Sequence, residues 1–285
     1  MAITALDAAI PEIWSGLVNE AFAYKSVMTN LVTFKWSSPI TAKLGDTVRL
    51  FTFPEPTYGA YTKGTDVTPQ ALDPVETVLK ITDDDALEIE YDNYEEAMSV
   101  FTSLNPIAVN KIANAAIKKF DDDIMAEYAN FTTALDAGDF GGVAGAAVTI
   151  DVDNVLVCIE KMRETLSGYE VGRSDTFVVV PPKVTTLIAR ALYGKAANPP
   201  TFASEALREL WVQRHAGFDI YESTRLPVSG TYILAFHREC VGFSGAIKYL
   251  KLKEPAFRDS GLIFSRILYG AKTINPNYGV SLLIA

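Results

Sequence analysis

Carboxylates are the side chains of this sequence whose spacing comes nearest to a catalytic arrangement. Glu88, Glu90 and Asp92 alternate along a predicted strand and therefore share one face, where a carboxylate pair could carry out acid–base chemistry on a glycoside. The strand belongs to a predicted two-stranded flap, which offers no concave pocket that would exclude water. A small hydrolase that uses residues 88–92 is therefore only an alternative interpretation.

Two runs of three aspartates, Asp83–Asp85 and Asp121–Asp123, raise the question of a calcium site. Neither run has the alternating acidic ligands and the glycine of an EF-hand loop. Asp121–Asp123 lies on a predicted helix, where consecutive residues point about 100° apart and share an ion poorly. We interpret both runs as solvated faces and predict no metal site.

The sequence contains no motif for a catalytic nucleophile and none for the binding of a cofactor. His215 follows a predicted helix and His237 ends a predicted strand, and neither accompanies a nucleophile motif. No phosphate-binding glycine loop occurs. We therefore predict no catalytic residue and no cofactor.

Lys63 is the one residue for which the sequence suggests a covalent reaction. An exposed lysine held against an asparagine and a carboxylate of a neighbour could form an isopeptide bond. A lysine is a competent nucleophile only when burial deprotonates it. The favoured interpretation is a charged loop residue that forms salt bridges or solvates the loop.

The composition is that of a globular chain without a surface that reads nucleic acid. The 285 residues are 49% hydrophobic and 21% charged, and the formal charge of −10 is spread along the chain. Nucleic-acid readers need a clustered basic stripe. Cys158 and Cys240 have no metal-binding spacing, so we expect buried free thiols in a reducing cytoplasm. We expect neither a signal peptide nor a membrane span.

A long helix, which we call the spine, is predicted over residues 105–135. Pro106 suits the first helical position. Apolar residues then recur at steps of three and four, which draws one stripe along the helix: Ile112, Ala116, Phe120, Ile124, Tyr128 and Phe131. A helix of about 45 Å needs a sheet or other helices along it to bury such a stripe.

Residues 45–92 are predicted to form a flap of two extended arms around a tip rich in proline and glycine. A structureless loop of this length is unusual in a compact domain, and two strands alone bury too little core to be stable. We therefore expect the flap to lie on another copy of the protein. The residues predicted to make this inter-subunit contact are Tyr58, Tyr61, Lys63 and Asp66.

The remaining elements make an α+β chain. An amphipathic helix is predicted at about 11–25, and a glycine- and alanine-rich hinge at 136–147. Two helices with apolar stripes begin near Val155 and Pro182, and a third comprises Ser204, Leu207, Leu210 and Trp211 and ends near Gly217. Strands are predicted at Thr176–Val180, Phe218–Tyr221, Tyr232–Phe236, Val241–Phe243, Ile247–Lys253, Leu262–Leu268 and Val280–Ile284.

Four short motifs, in this order, carry a resemblance to a known family: GDTVRL leading to YTKGTDVT (61–68), FVVVPP (177–182), GFDIYES (217–223) with Leu226-Pro227, and LYGAK (268–272). Together with the order of arm, flap, spine and strand-rich end, they resemble a tailed-phage major capsid protein of the HK97 fold. The resemblance covers nearly the whole chain.

The resemblance implies an α+β, HK97-like capsid fold with an N-terminal arm (1–44) and an extended β-hairpin loop, the E-loop (45–92). A P-domain with the spine (93–140) and an A-domain (141–246) would follow. The chain would end with P-domain return strands (247–270) and an A-domain C-terminal strand (271–285). Each flap would lie over the spine-bearing domain of a neighbour.

The resemblance also implies the partners. The chain would self-assemble into hexamers and pentamers of an icosahedral head, in the host cytoplasm, around double-stranded DNA bound without sequence specificity. A separate scaffolding protein, a portal and a possible decoration protein would be further partners, and no membrane is implied. An encapsulin-like nanocompartment shell and an oligomeric adhesin remain alternatives.

Overall fold

The structure is a computed structural model that describes residues 26–35, 47–53, 55–64, 66, 68–92, 104–193, 211–253 and 260–285. The arm helix predicted at 11–25 lies outside these residues, as do Ser204, Leu207 and Leu210 of the predicted third helix.

Helices and strands are interspersed along the described ranges. In chain order they are α1 Met28–Leu31, β1 Thr47–Thr52, β2 Val75–Lys80, β3 Asp83–Asp92, α2 Leu104–Ala126, β4 Thr133–Leu135, α3 Val155–Gly168, β5 Thr176–Val180, α4 Pro182–Tyr193, β6 Trp211–His215, β7 Phe218–Glu222, α5 Pro227–Gly230, β8 Tyr232–His237, β9 Val241–Lys253, β10 Ser260–Thr273 and β11 Gly279–Leu283.

The described strands form three sheets. β1 and β2 make a two-stranded antiparallel flap. β3, β10 and β9 make a three-stranded antiparallel sheet in that order. The third sheet has the order β4-β11-β8-β5-β7-β6, with β4 parallel to β11 and β5 parallel to β7.

The six-stranded sheet is buried on both faces. Val178 and Val180 pack in one core with Ile159 and Met162 of α3. The alternate residues of β5 face a second core, shared with the spine and with α1. Strands buried on both faces read as continuous apolar runs, and the sequence FVVV of β5 follows this rule.

The spine is shorter than predicted. The α-helix ends at Ala126 and a 3-10 turn covers Glu127–Asn130, while Thr133–Leu135 pairs with β11 as a strand. The prediction of one helix through residue 135 is therefore wrong at its C-terminal end. The Glu127 carboxylate accepts hydrogen bonds from the backbone N–H (2.7 Å) and the hydroxyl (2.8 Å) of Thr273, which anchors the turn on β10.

The rest of the spine is confirmed. Ile112, Ala116 and Ile124 of the predicted stripe are buried. Ile112 packs on Ile263 and Ile89 of the three-stranded sheet. At 1.5 Å per residue, the 23-residue helix spans about 34 Å.

Trp211–His215 is a strand rather than the end of a helix, which corrects the prediction for this segment. β6 pairs antiparallel with β7, and the two are joined by Ala216 and Gly217 with φ of 52° and 90°. Two consecutive residues of positive φ are typical of a tight hairpin turn. The prediction that a helix ends near Gly217 is therefore wrong.

Val241–Lys253 is one continuous strand rather than the two predicted. Its register against β10 shifts once, between Arg266 and Ile267. A β-bulge of this kind bends a strand without ending it. The four other strands predicted after residue 217 are confirmed, and no end differs by more than five residues.

Residues 136–147 fold into a compact loop. The Asp136 carboxylate accepts hydrogen bonds from the backbone N–H groups of Gly138 and Gly145, each at 2.7 Å. The N–H of Ala137 donates to the carbonyl of Ala146 at 2.9 Å, so the ends of the loop lie side by side. That this loop acts as a hinge stays a prediction.

Candidate functional site

The flap has one face turned to the protein and one face turned to solvent. Val48 and Leu50 are half-buried, and Leu79 of β2 is fully buried. On the other face, Phe51 and Phe53 expose 57% and 55% of their surface. The strand therefore alternates between its two faces, and the two phenylalanines lie without cover from the described part of the chain.

The tip of the flap carries further exposed aromatic side chains. Residues 53–74 contain no helix or strand where the structure describes them, and Gly64 turns the chain with a φ of 87°. Tyr58 is fully exposed, and Tyr61 exposes 74% of its surface. The Gln70 side chain bridges the N–H and the carbonyl of Thr57 at 3.0 and 2.6 Å, which ties the two sides of the tip together.

All four residues predicted at the inter-subunit contact lie in this exposed tip: Tyr58, Tyr61, Lys63 and Asp66. The structure therefore places them where a neighbour could reach them. The surface that they contact stays a prediction.

The flap is fixed to the protein at its base, where β2 passes into β3. Leu79 and Ile81 are buried there. A β-carbon on Gly270 of β10 would clash with the Lys80 carbonyl oxygen and stand 3.2 Å from Cα of Ile81. Only glycine therefore lets the backbone of the flap base cross β10 so closely.

Strand β3 does not belong to the flap, contrary to the prediction. It pairs with β10 from Asp83↔Tyr269 to Asp92↔Ser260. The Arg266 guanidinium binds the Asp84 carboxylate through two nitrogens, and the Tyr269 hydroxyl donates to Asp85 at 2.7 Å. Asp84 nevertheless stays exposed and Asp85 is partly exposed, which agrees with the interpretation of Asp83–Asp85 as a solvated face.

The interpretation of Asp121–Asp123 as a solvated face is wrong for Asp121, which is fully buried, while Asp122 and Asp123 are partly exposed. The buried Asp121 carboxylate accepts hydrogen bonds from the Ser26 hydroxyl (2.6 Å) and the Val27 N–H (3.2 Å). Asp122 binds the Arg225 guanidinium, with its Nε at 2.7 Å. Successive side chains on a helix point about 100° apart. The three consecutive aspartates therefore face three different parts of the chain.

Asp123 faces the third part, the base of the flap. Burial raises the pKa of this carboxyl to about 6, and the negative charges of Asp83 and Glu127 add to the effect. The Ala271 N–H and Lys119 lower the pKa in part. One carboxyl oxygen of Asp123 is buried without a hydrogen-bond partner among the described residues.

Glu88 and Glu90 of β3 lie away from the cleft beside their sheet. Glu88 and Glu90 are exposed on one face of the three-stranded sheet. The cleft beside this sheet, of about 290 Å³, lies on the opposite face against the spine. Its lining is mainly apolar and contains a single carboxylate, that of Asp85, with Lys119 at 3.4 Å: Asp85, Ala86, Leu87, Ile112, Ala115, Ala116, Lys119, Ser265 and Ile267.

The histidines and cysteines occupy structural positions. His215 lies in β6, with Nε2 at 3.3 Å from the Glu160 carboxylate. Nδ1 of His237 accepts the Glu239 N–H at 3.2 Å, and burial lowers the pKa of His237. Both predicted buried free thiols are confirmed, and burial raises the pKa of Cys158 to about 11.

No group of three histidine, cysteine, aspartate or glutamate side chains that could hold a metal ion occurs within the described ranges. None of the helices described is long and apolar enough to cross a membrane.

The partners of the aspartates were missed because they are remote in sequence. Asp121 binds Ser26 across 95 positions and Asp122 binds Arg225 across 103. The available signal was local: Asp121 follows Phe120 and lies four residues before Met125, inside a broad apolar face. An aspartate inside such a face indicates a paired buried carboxylate.

The comparisons with known proteins agree with one another. The profile described as "Phage capsid protein" matches residues 81–280. No curated protein matches the chain.

Solved structures of phage capsids share the fold. A structure from Mycobacterium phage Che8 is 20% identical, with a TM-score of 0.75 and 96% of each chain covered. The capsid of cyanophage P-SCSP1u is 16% identical, with a TM-score of 0.72, and 98% of this chain and 94% of that chain are covered. The mature capsid of bacteriophage PhiM1 is 16% identical, with a TM-score of 0.67 and coverage of 96% and 92%.

Proposed function

The chain belongs to the phage capsid protein family, and from this premise we propose that its copies assemble into the hexamers and pentamers of an icosahedral phage head. Its fold is the HK97-like capsid fold, and the family is one of structural proteins. The proposed role is therefore mechanical: each subunit closes a shell around double-stranded DNA.

The exposed flap is the observation that carries the proposal. Phe51, Phe53, Tyr58 and Tyr61 are each more than half exposed. Burying one such side chain stabilises an interface by about 1.5–3 kcal/mol. Four exposed aromatic side chains within residues 51–61 are typical of a site of protein–protein contact. The occupant that fits best is a second copy of the chain, since shells are built from repeated subunits.

We propose that the flap, with Tyr58, Tyr61, Lys63 and Asp66 at its tip, lies over the spine-bearing domain of a neighbour. The apolar cleft between the spine and the three-stranded sheet supports this arrangement, because it offers an open surface of matching character. The division into arm, E-loop, P-domain and A-domain belongs to the same proposal, with β3 assigned to the P-domain.

The remaining partners follow from a closed shell. The formal charge of −10 suits a container whose wall repels the phosphates of the packaged DNA. A separate scaffolding protein and a portal complete the proposed set, and assembly takes place in the host cytoplasm.

Deletion of residues 57–70 tests the proposal. Wild-type protein, expressed alone or with its scaffolding protein, should form closed particles in negative-stain electron microscopy and light scattering. The deletion removes the tip but leaves β1, β2 and both apolar cores, so we expect folded subunits that no longer form shells.

Two point variants sharpen the test. Tyr58→Ser with Tyr61→Ser should reduce particle formation, while Val157→Ser, which removes an exposed apolar side chain from α3, should not. Closed shells from the deletion variant would show that the flap is not the contact. A stable wild-type monomer, with or without scaffolding protein, would refute the proposed function itself.

A further inference from the structure

Val228 has a backbone conformation that valine rarely adopts. Its φ is 48°, in the left-handed region where a β-branched residue is an outlier. Holding such a residue there destabilises the folded state, and the conformation persists only where something compensates for it. Outliers of this kind cluster at functional sites.

The described part of the subunit does not supply this compensation. Val228 exposes 66% of its surface. Its carbonyl accepts hydrogen bonds from the N–H (3.3 Å) and the hydroxyl (3.1 Å) of Thr231. Glycine or asparagine would offer the same carbonyl with less strain. What valine adds at this position is therefore an apolar side chain that faces solvent.

Val228 belongs to the lining of a recess between the second half of the spine and α5. The recess has a volume of about 360 Å³ and is lined by Asp122, Met125, Ala126, Tyr128, Arg225, Leu226, Pro227 and Val228. Its two charged residues, Asp122 and Arg225, form an ion pair with each other. The rest of the lining is apolar except for one tyrosine hydroxyl. The recess therefore suits an aromatic side chain better than a charged one.

The flap carries aromatic side chains that lack cover. Among the described residues, every aromatic side chain that is more than half exposed lies in the flap: Phe51, Phe53, Tyr58 and Tyr61. Tyr58 is fully exposed, so it does not occupy the recess of its own subunit. A second copy of the chain therefore offers an occupant of the right chemistry.

We propose that Tyr58 of a second copy occupies this recess and packs against Val228. The proposal rests on the proposed function, in which the flap lies over a neighbour, and assigns the place where its tip ends. The cleft beside the three-stranded sheet uses spine residues 112–119, and the recess uses residues 122–128, so the two follow each other along the spine. Their midpoints are about 14 Å apart. A flap with strands of about 20 Å can cover the cleft and reach the recess with its tip.

The contact compensates for the strain at Val228 because both side chains leave solvent when it forms. Burial of apolar surface is favourable in proportion to the area removed from water. A tyrosine ring supplies a large apolar area, and its hydroxyl can stay at the wet edge of the recess. The valine thus destabilises the free subunit and stabilises the assembled one.

Val228→Asn tests both effects. Asparagine adopts a positive φ more readily than valine and lacks the apolar side chain. The melting temperature of the free subunit should rise by about 2 °C, and the yield of particles should fall by about tenfold. Val157→Asn, which removes a comparably exposed valine from α3, is the matched control and should assemble as the wild type does. A lower melting temperature or an unchanged yield for Val228→Asn would overturn the proposal.

Cross-linking identifies the occupant of the recess. Chains with Tyr58→Cys are mixed with chains with Val228→Cys, assembled, and treated with a short bismaleimide that joins neighbouring thiols. A link between these two positions can form only between separate copies. The native Cys158 and Cys240 are buried and contribute little background. Denaturing electrophoresis should show linked dimers from this mixture and none from either variant alone or from Tyr58→Cys mixed with Val157→Cys.

The remaining outcomes separate this contact from shell formation itself. Tyr58→Cys mixed with Leu87→Cys probes the cleft beside the three-stranded sheet, where Leu87 is exposed. A link to Leu87 in place of Val228, or particles without a link at Val228, would overturn the assignment and leave the proposed function intact. If the cysteine variants form no particles, the comparison of Val228→Asn with Val157→Asn decides the question. A wild type that forms no particles contradicts the proposed function instead.

Discussion

At the scale of single residues, the spine joins the parts of the protein through three neighbouring aspartates. Asp121 holds the segment that contains Ser26, Asp122 holds Arg225 beside α5, and Asp123 faces the base of the flap. Two of the three bind their partners directly, whereas Asp123 has a buried oxygen without a partner in the described part of the chain. Of the three aspartates, Asp123 is therefore the one whose burial destabilises the folded protein.

Replacement of Asp123 by asparagine should stabilise the subunit at neutral pH. The pKa of Asp123 is about 6 in the folded protein, above its ordinary value of 3.8, so the folded state binds this proton more tightly than the unfolded state does. The free energy of unfolding therefore falls as pH rises from about 4 to about 6 and is constant above that range. With allowance for partial exposure, the variant should gain about 1–2 kcal/mol at pH 7.

Urea unfolding of unassembled subunits between pH 4 and pH 8 measures this effect. Glu164→Gln, which removes an exposed carboxylate of α3, is the control and should leave the pH profile unchanged. If Asp123→Asn keeps the wild-type decrease in stability between pH 4 and pH 6, another group is responsible for it.

At the scale of elements, the flap projects from the protein and is fixed at its base against β10. Its two strands pair only with each other in the described residues, and its fixed end is the buried pair Leu79 and Ile81. The crossing at Gly270 determines how closely this end approaches the sheet. The orientation of the flap is therefore set at its base.

Gly270→Ala should displace the base of the flap. The added methyl group would clash with the Lys80 carbonyl, and such overpacking costs about 1–3 kcal/mol. We expect a lower melting temperature of the free subunit and fewer or aberrant particles. Gly168→Ala, where a β-carbon meets nothing within 4 Å, is the matched control. Normal particles from Gly270→Ala would show that the crossing tolerates the displacement.

Elements whose signals are local were predictable, and those fixed by remote pairing were not. The spine begins near Pro106 with its stripe as predicted, because capping and periodicity are read over a few residues. Its end was missed because Thr133–Leu135 pairs with β11, about 150 residues away, and tertiary pairing overrides helix propensity. The alternation of Leu87 and Ile89 with Glu88 and Glu90 was predicted, but its partner strand β10 was not.

At the scale of the whole molecule, the exposure of the candidate site was predictable and its supports were not. Proline and glycine punctuation located the tip with Tyr58 and Tyr61. The ion pairs that fix its base, such as Arg266 with Asp84, join residues 182 positions apart and leave no local signal. One core connects the spine with the six-stranded sheet, so these two parts of the subunit pack together.

Trypsin should distinguish free from assembled subunits at Lys63. In the free subunit this lysine lies in an exposed segment without helix or strand, which is the conformation that proteases cleave. Contact with a neighbour should protect it, so fragments that end at Lys63 should form more slowly from shells than from subunits, as followed by mass spectrometry. Lys63→Gln removes these fragments and identifies their origin. Equal rates of cleavage would contradict the contact at the tip.

The position of β11 has a consequence for how the protein is made. This strand lies between β4 and β8 inside the six-stranded sheet, although it follows all the other described strands in the sequence. The sheet therefore cannot close until residue 283 has left the ribosome. A chain that stops before β11 lacks the strand that pairs with both β4 and β8. Only chains that include β11 can complete the six-stranded sheet.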